Sequence, residues 1–339
     1  MGGENQTRRI LITGIADHFA GEVMRQLEAD DSLELIAGID FREPRRAFSS
    51  RAEVMVTDLR SRSLRHILDA VRPDTVLHLQ HVAPGDDDAS AEEAHEINVM
   101  GTINLVASLQ RTASMRKFVL ISSLHIYGGD PNDSAILTED TKPRVPAKSK
   151  FAGDLIEMES VANLFARGER KIALTCLRFA DIIGRYSDTQ MSRYLRMPII
   201  PSLWGYDPRL QFCHEEDAVA IVKRAALEEH SGLYNLAGDG AVYLSQATRL
   251  GGRTRIPIAP PLFGPAISAA NFAGLTALDA HHIVALRYGR VIDNTRAKAR
   301  FGAFQYTTRD AVLDLYGTDL APIADVTEAA PEETRVAAA

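Results

Sequence analysis

The N-terminal part of the chain alternates between short, continuous apolar runs and segments with helical periodicity. The apolar runs predict strands at Arg9–Thr13, Leu33–Ile39, Val54–Thr57, Thr75–Leu79 and Lys117–Ser122. Helices are predicted between them, at Gly21–Ala29, Ser63–Val71 and Ala91–Ser108. Strands that are apolar along their whole length must be covered on both faces, as in parallel sheets. The pattern therefore predicts an α/β fold with a doubly wound parallel sheet.

The C-terminal half is less regular. A helix over about Lys148–Ala166 and a strand at Ile172–Leu177 continue the alternation, and proline-rich segments interrupt the chain beyond them. We expect a Rossmann-type sheet domain over residues 8–180, completed by strands that return from the second half, and a smaller lobe over residues 181–318. Residues 319–339 are rich in Ala, Glu, Pro and Thr, and are predicted to be a disordered tail.

Charge and composition exclude several classes of partner. The chain has 339 residues and a net charge of −7, which argues against nucleic-acid or anionic-membrane binding. No stretch reaches the roughly 20 apolar residues that a membrane span needs, and the N-terminus lacks an apolar signal core. Cys176 and Cys213 have no metal-ligand spacing and are interpreted as reduced core thiols. A cytoplasmic protein is expected.

The turn after the first strand has the composition of a phosphate-binding loop. Small residues there let backbone N–H groups and a helix N-terminus approach a pyrophosphate. The predicted contacts are Thr13, Gly14, Phe19, Ala20 and Gly21. Asp17 replaces the middle glycine, and its carboxylate would repel phosphate unless it points outward.

The end of the second strand indicates which dinucleotide would bind. Asp40 is at the position where an acidic residue hydrogen-bonds the adenosine ribose, although a simple strand-end cap is the alternative. An acidic residue there disfavours a 2′-phosphate, so NAD is preferred. Arg42, just after it, would favour a 2′-phosphate, so NADP is the alternative.

Several further motifs occur in a fixed order along the chain. With the features above, they resemble the extended short-chain dehydrogenase/reductase family, in its UDP-glucose 4-epimerase-like branch, over residues 9–316. The matching motifs are Asp58-Leu59, His78-Leu79, Asn98–Thr102, Ser122–Gly128, Leu177–Gly184, Gln211–His214 with Asp217, and Tyr234–Gly238.

The resemblance implies roles for individual residues. Asp58 and Leu59 would contact adenine, and Leu79, Asn98 and Ser122 would belong to the cofactor site. The family uses a Ser, a Tyr and a Lys, in which the Tyr exchanges a proton while NAD exchanges a hydride.

Ser123 and Lys150 match the Ser and the Lys of this catalytic set, but Pro146 is at the position of the Tyr. No tyrosine lies between Tyr127 and Tyr186, so a shift in register does not restore one. Without its tyrosine, Lys150 is expected to hold the ribose hydroxyls or to be a solvated first-turn lysine.

Other departures also affect the cofactor side. Gln80 and His81 replace a pair of small residues, and Phe179 replaces a proline. Candidates for a substitute acid or base are Tyr127, His81 and His125, each of which has a purely structural alternative. His230, His281 and His282 show no metal-ligand spacing, so they are interpreted as surface residues and no metal is expected.

Two interpretations of function remain open. The first is an NAD-dependent isomerase, lyase or oxidoreductase whose mechanism lacks the tyrosine. Its small-molecule substrate would be nucleotide-sugar-like, or a less polar molecule. Arg209 and Arg290 would hold the diphosphate of a nucleotide sugar, although both are equally interpreted as surface arginines. The second is a non-catalytic dinucleotide-binding sensor or assembly protein. The helices around 98–108 and 150–166 also predict a homodimer, although burial within one chain explains their apolar faces equally well.

Overall fold

A computed structural model describes residues 8–84, 89–145, 149–168 and 172–318. Its centre is a sheet of seven parallel strands: β1 Arg8–Thr13, β2 Leu33–Asp40, β3 Ala52–Val56, β4 Thr75–His78, β5 Lys117–Ser123, β6 Ala173–Phe179 and β11 Gly232–Leu236. Their order across the sheet is β11-β6-β5-β4-β1-β2-β3. The predicted doubly wound parallel sheet is confirmed. Its outermost strand on one side, β11, comes from the second half of the chain.

Helices cover both faces of the sheet. In chain order they are α1 His18–Glu28, α2 Leu64–Val71, α3 Ala91–His95, α4 Gly101–Leu109, α5 Lys150–Ala166, α6 Gln190–Arg196, α7 Glu215–Leu227, α8 Leu244–Leu250, α9 Pro260–Phe272, α10 Ala280–Tyr288, α11 Thr295–Phe301 and α12 Thr308–Leu315. One core layer is formed against α2, α4 and α5, and the other against α1, α7 and α11. This double covering explains why the strands are apolar along their length.

The predicted helix Ala91–Ser108 is interrupted by one wide turn of π-helix at Glu96–Met100. Asn98 lies in this turn and is buried. Its Oδ1 accepts a hydrogen bond from the Val82 N–H at 2.7 Å, and its Nδ2 donates to the Val82 carbonyl at 2.8 Å. The π turn therefore ties the loop after β4 to the helix, a packing role that local periodicity does not reveal.

The C-terminal part contains three small two-stranded sheets. Their strands are β7 Asp181–Ile183, β8 Ile199–Leu203, β9 Arg209–Leu210, β10 Phe212–His214, β12 Val242–Tyr243 and β13 Thr254–Ile258. The pairs are β10 with β7, β12 with β9, and β13 with β8. A separate apolar core that includes Tyr194 and Phe263 fills the space between these strands and α6, α8, α9, α10 and α12.

Three further sequence predictions concern Pro146, the C-terminal tail and the two cysteines. Pro146 and the predicted tail 319–339 lie outside the described residues. Cys176 and Cys213 are both buried and free, as predicted. In the described part of the chain no helix is both long and apolar enough to span a bilayer.

Candidate active site

A cavity of about 850 Å³ lies along the carboxyl ends of the central strands. Its walls come from the turn after β1, the segment after β4, the start of α5, the segment after β6 and the start of α10. In an open parallel sheet, ligands bind at this edge. The volume lies within the range of small-molecule and cofactor sites.

The glycine turn forms one wall of this cavity. Gly14 has a φ of +84°, and a Cβ atom at this position would lie 2.7 Å from the Gln80 Cα. Gly14 is therefore required both by backbone conformation and by close approach. Asp17 caps helix α1, because its carboxylate accepts the Phe19 N–H at 2.8 Å. The carboxylate thus uses one of the helix N-terminal donors and also lines the cavity.

Basic side chains line the same end of the cavity. Arg42, Arg45 and Arg46 all contribute to the wall beside His18. Asp40 does not line the cavity as described. It is 1% exposed, and its carboxylate accepts the backbone N–H groups of Ala16 and Arg42, each at 2.9 Å. This position corresponds to the strand-end cap that the sequence left as an alternative.

The predicted cofactor residues divide into two groups. Those that line the cavity are Gly14, Phe19, Arg42 and Leu79. The others are not among the residues that line the cavity, and they are Thr13, Ala20, Gly21, Asp40, Asp58, Leu59, Asn98 and Ser122. For example, Thr13 is fully buried and bonds His78 Nδ1 at 2.7 Å, while Asp58 pairs with Arg60 at 2.6 Å.

Two residues of the predicted catalytic set do not line the cavity as described. Ser123 Oγ accepts the His125 N–H at 3.3 Å and so caps the turn after β5. The Lys150 side chain is 55% exposed and forms an ion pair with Glu92. This position corresponds to the solvated first-turn lysine and does not support the predicted ribose contact.

Tyr127 does not reach the cavity either. It is 2% exposed, its hydroxyl donates to Asn235 at 2.7 Å, and Arg178 donates to the same oxygen at 2.7 Å. Burial raises the pKa of the Tyr127 phenol. The hypothesis that Tyr127 replaces the missing acid or base is therefore not supported by its position.

His81 does line the cavity, next to Gln80. Its ring is exposed, and Nδ1 donates to the Leu79 carbonyl at 3.2 Å. This hydrogen bond fixes a tautomer in which Nε2 carries a lone pair. The ring lies 5.9 Å from that of Phe151, between centroids.

A cluster of histidines forms another part of the wall. His125, His281 and His282 are 5%, 1% and 4% exposed. The centroid of His281 is 4.2 Å from that of His125 and 4.0 Å from that of His282. The expectation that His281 and His282 are surface residues was wrong, because α10 packs them against the turn after β5. His230 is also half-buried, bonded to Glu228.

No local feature of the sequence predicts this cluster. His125 and His281 are far apart in the chain, and their contact depends on how the C-terminal lobe packs on the sheet. The only available sign was the pair of adjacent histidines within a helix of apolar neighbours, which is ordinary for a buried helix.

Two charged side chains, Asp181 and Arg290, contact the histidine cluster. His125 Nε2 lies 3.0 Å from Asp181 Oδ1, and Arg290 Nη1 lies 2.7 Å from His125 Nδ1. Burial lowers the pKa of His125 to about 4, so the ring is neutral at pH 7. Burial opposes ionisation of Asp181, but His125 and His282 hold the pKa of its carboxyl well below its usual range.

Arg209 and Arg290 meet at a second, smaller cavity of about 150 Å³. Its wall also includes Asp130 and Asp133. Arg209 donates to the Ala135 carbonyl at 3.3 Å. Nε and Nη2 of Arg290 are buried without a hydrogen-bond partner among the described residues. The structure thus brings together the two arginines that the sequence proposed for substrate binding.

A doubly wound sheet with a glycine turn and a large cavity at its carboxyl edge defines a dinucleotide-binding protein of the Rossmann type. The chain belongs to the NAD-dependent epimerase/dehydratase family, whose model matches residues 10–237.

Individual relatives are consistent with this assignment. The uncharacterized protein Rv0501 of Mycobacterium tuberculosis is 33% identical over 325 residues, which cover 93% of this chain and 85% of that protein. Among solved structures, MoeE5 in complex with UDP-glucuronic acid and NAD has a TM-score of 0.69 at 21% identity, covering 90% of this chain and 96% of that one. UDP-glucose 4-epimerase from Thermotoga maritima has a TM-score of 0.70 at 18% identity, covering 91% and 97%.

Proposed function

We propose that this protein is an NAD-dependent enzyme of the epimerase/dehydratase type that moves a proton with a histidine instead of a tyrosine. The observation that carries the proposal is a single cavity whose wall includes both the glycine turn and His81. In this arrangement, a dinucleotide on the turn and the His81 ring would share one cavity.

The residues present fit a dinucleotide. Gly14 leaves room at the turn, while Phe19 and Leu79 offer apolar surface to the cofactor. Arg42, Arg45 and Arg46 provide positive charge against the pyrophosphate, which offsets the Asp17 carboxylate. When bound, NAD supplies a hydride acceptor. NADP remains the alternative cofactor because these arginines also suit a 2′-phosphate.

His81 is better placed than His125 to exchange a proton. Its Nε2 has a free lone pair and its ring is exposed to the cavity, whereas both nitrogens of His125 already have charged partners. Imidazole is the side chain that most often serves as a general acid or base in enzymes. We assign His81 the proton transfer, and we assign His125 to the fixed polar wall.

The substrate we propose is a small polar molecule with an anionic group, of the nucleotide-sugar kind. Arg209 and Arg290 line the smaller cavity, and the unpartnered nitrogens of Arg290 can receive a phosphate or a carboxylate. MoeE5 and the Thermotoga epimerase were crystallised with UDP-sugars. In this proposal residues 8–180 hold the cofactor and residues 181–318 supply most of the substrate-binding lobe.

The first test is calorimetric titration with NAD⁺, NADH, NADP⁺ and NADPH, followed by turnover assays on UDP-glucose and UDP-glucuronic acid. We expect His81→Gln to lower turnover about 100-fold or more while dinucleotide affinity stays near that of the unmodified protein. His66→Gln, at an exposed position on α2, is the matched control. Unchanged turnover in His81→Gln would refute the assigned role.

One observation favours a second function. The Lys150–Glu92 ion pair leaves the matched lysine outside the cavity as described. That arrangement suits a dinucleotide-binding sensor without catalysis. Tight dinucleotide binding with no exchange of hydride, on any of the sugar nucleotides tested, would support this alternative over the enzyme.

A further inference from the structure

The cluster of His125, His281 and His282 has a feature that the proposed function does not use. One ligand atom from each ring lies within 4.8 Å of the other two. All three rings are buried, and all three line the large cavity. We propose that these three histidines bind a divalent transition-metal ion, with Zn²⁺ as the best match to the donor set.

The ligand type and the spacing agree with zinc. Zinc takes imidazole nitrogens at about 2.0–2.1 Å in a tetrahedron, which places ligand atoms about 3.3 Å from one another. In the structure, the ligand atoms of the three histidines lie within 4.8 Å of one another, which exceeds the tetrahedral value by at most about 1.5 Å. Metal binding would require the rings to rotate about their side-chain torsions to close this difference.

A carboxylate faces one nitrogen of each ring. His125 Nε2 and His282 Nε2 lie 3.0 Å and 3.7 Å from the same atom, Asp181 Oδ1. His281 Nδ1 lies 3.1 Å from Asp279 Oδ2. Metal-binding histidines typically donate their second N–H to a carboxylate, which orients the ring and makes the other nitrogen a better ligand.

These contacts determine which nitrogens are available. When His125 Nε2 and His281 Nδ1 donate to these carboxylates, their lone pairs are on Nδ1 of His125 and Nε2 of His281, and the same orientation toward Asp181 would leave the lone pair of His282 on Nδ1. His282 Nδ1 is buried and has no hydrogen-bond partner among the described residues. A buried imidazole nitrogen without a partner costs free energy unless something binds it.

Arg290 is the competing cation. Its Nη1 bonds His125 Nδ1 at 2.7 Å, so it holds the lone pair that the metal would take. The smaller cavity beside Arg290 contains Asp133, which offers the guanidinium another partner when the metal binds. The carboxylates of Asp181 and Asp279 together outweigh the single guanidinium, so the local charge favours a divalent ion.

The site has the character of a catalytic rather than a structural zinc centre. Three protein ligands leave a fourth position open, and the rings line the cavity from which a substrate oxygen could reach it. If the proposed function holds, the metal would polarise the substrate oxygen, while His81 would exchange the proton.

The test uses full-length protein without an affinity tag, treated with a chelator and then dialysed. Titration with ZnCl₂ is monitored by calorimetry, and titration with CoCl₂ by visible absorption. We expect one equivalent of Zn²⁺ and the visible bands of tetrahedral Co²⁺. His281→Asn and His282→Asn each remove a direct ligand and should weaken zinc binding by more than the roughly 100-fold that loss of an outer-shell partner can cost, and the control His230→Asn should not.

A fourth variant tests the competition directly. Arg290→Gln removes the guanidinium from His125 and should bind zinc more tightly than the unmodified protein. The inference fails if the unmodified protein binds no stoichiometric metal, or if His281→Asn and His282→Asn bind it as tightly as the control. Each variant is checked by circular dichroism, and the cobalt spectrum of the unmodified protein remains decisive where a variant does not fold.

The same samples separate this inference from the proposed function. NAD affinity is measured with and without zinc. Intact NAD binding without stoichiometric metal would overturn the zinc site alone. Stoichiometric zinc in a protein that binds no dinucleotide would overturn the proposed function and leave the metal site standing.

Discussion

At the level of single residues, Arg178 and Glu159 form a buried ion pair between β6 and α5. Their side chains are 4% and 8% exposed, and Nη2 lies 2.6 Å from Oε2. Ser122 donates to Glu159 at 2.6 Å, and Arg178 donates to the Tyr127 hydroxyl. The network therefore satisfies the polar groups that burial would otherwise leave without partners. It also explains why Tyr127 is structural.

Removing one partner of this pair should be costly. Glu159→Leu leaves the Arg178 charge buried without a counter-charge, and we expect a loss of about 3–5 kcal/mol in the free energy of unfolding. Urea denaturation measures it. The double variant Glu159→Leu/Arg178→Met should lose much less than the sum of the two single variants. Strictly additive losses would show that the two side chains are not coupled.

His78 is a single residue that makes stability depend on pH. It is 1% exposed and is hydrogen-bonded to Thr13 at 2.7 Å and Thr102 at 2.8 Å. Burial, with a smaller contribution from His81, lowers the pKa of His78 to about 3. The folded protein thus keeps this ring neutral at a pH where the unfolded chain protonates it.

The sign of the effect is set by that difference in pKa. The contribution of His78 to stability is complete above about pH 6.5 and is lost as the pH falls toward 3. Its slope approaches about 1.4 kcal/mol per pH unit. His78→Gln should reduce the slope between pH 6.5 and 4.5 by about that amount. Urea midpoints across this range test it, and parallel curves for both proteins would contradict the assignment.

Among the elements, helix α1 has an N-terminus that serves two conflicting purposes. Asp17 caps the helix, while the same helix end faces the cavity where a pyrophosphate would bind. A carboxylate stabilises a helix N-terminus through the helix dipole, but it repels a phosphate there. Asp17, in place of the middle glycine, is therefore expected to stabilise the start of helix α1 and to weaken dinucleotide binding.

Asp17→Ser should shift this balance. Serine can still accept the Phe19 N–H, so helix stability should change by less than about 1 kcal/mol. Loss of the negative charge should tighten NAD binding about 5-fold. Calorimetry at low and high salt provides the test, because an electrostatic effect must shrink as salt rises. Weaker binding by the variant would show that Asp17 contacts the cofactor favourably.

At the scale of the whole molecule, some apolar side chains are exposed rather than buried in the core. They lie on helices α4 and α5 and on the turn before α4. Leu155 and Met158 are buried in the core, but Leu164 is 74% exposed and Met100 is 50% exposed. The sequence left open whether the apolar face of α5 serves the core or a partner copy. The structure shows that its residues divide between the core and the surface.

A homodimer through this helix pair remains a prediction. Light scattering after gel filtration should give twice the mass of the chain at micromolar concentration. Leu164→Glu should give the mass of one chain, since a carboxylate would be buried at the contact. Phe272→Glu, at the 95% exposed end of α9, is the matched control and should leave the mass unchanged. A monomeric mass for the unmodified protein would exclude the dimer.

The central sheet, the positions of most of its strands and the family could all be predicted from the sequence. Those features depend on local information: continuous apolar runs, a glycine whose backbone only glycine can adopt, and motifs of a few adjacent residues. Pro146 is likewise read directly from the chain, although its surroundings lie outside the described residues.

Which of the candidate residues share a cavity could be learned only from the three-dimensional arrangement. Asp40 matched its motif, yet its carboxylate is engaged by backbone N–H groups, and Lys150 matched its motif, yet it pairs with Glu92. The three-histidine cluster joins the turn after β5 to α10. Such contacts depend on how distant elements pack, because burial and hydrogen-bond partners are set by neighbours in space rather than by neighbours in sequence.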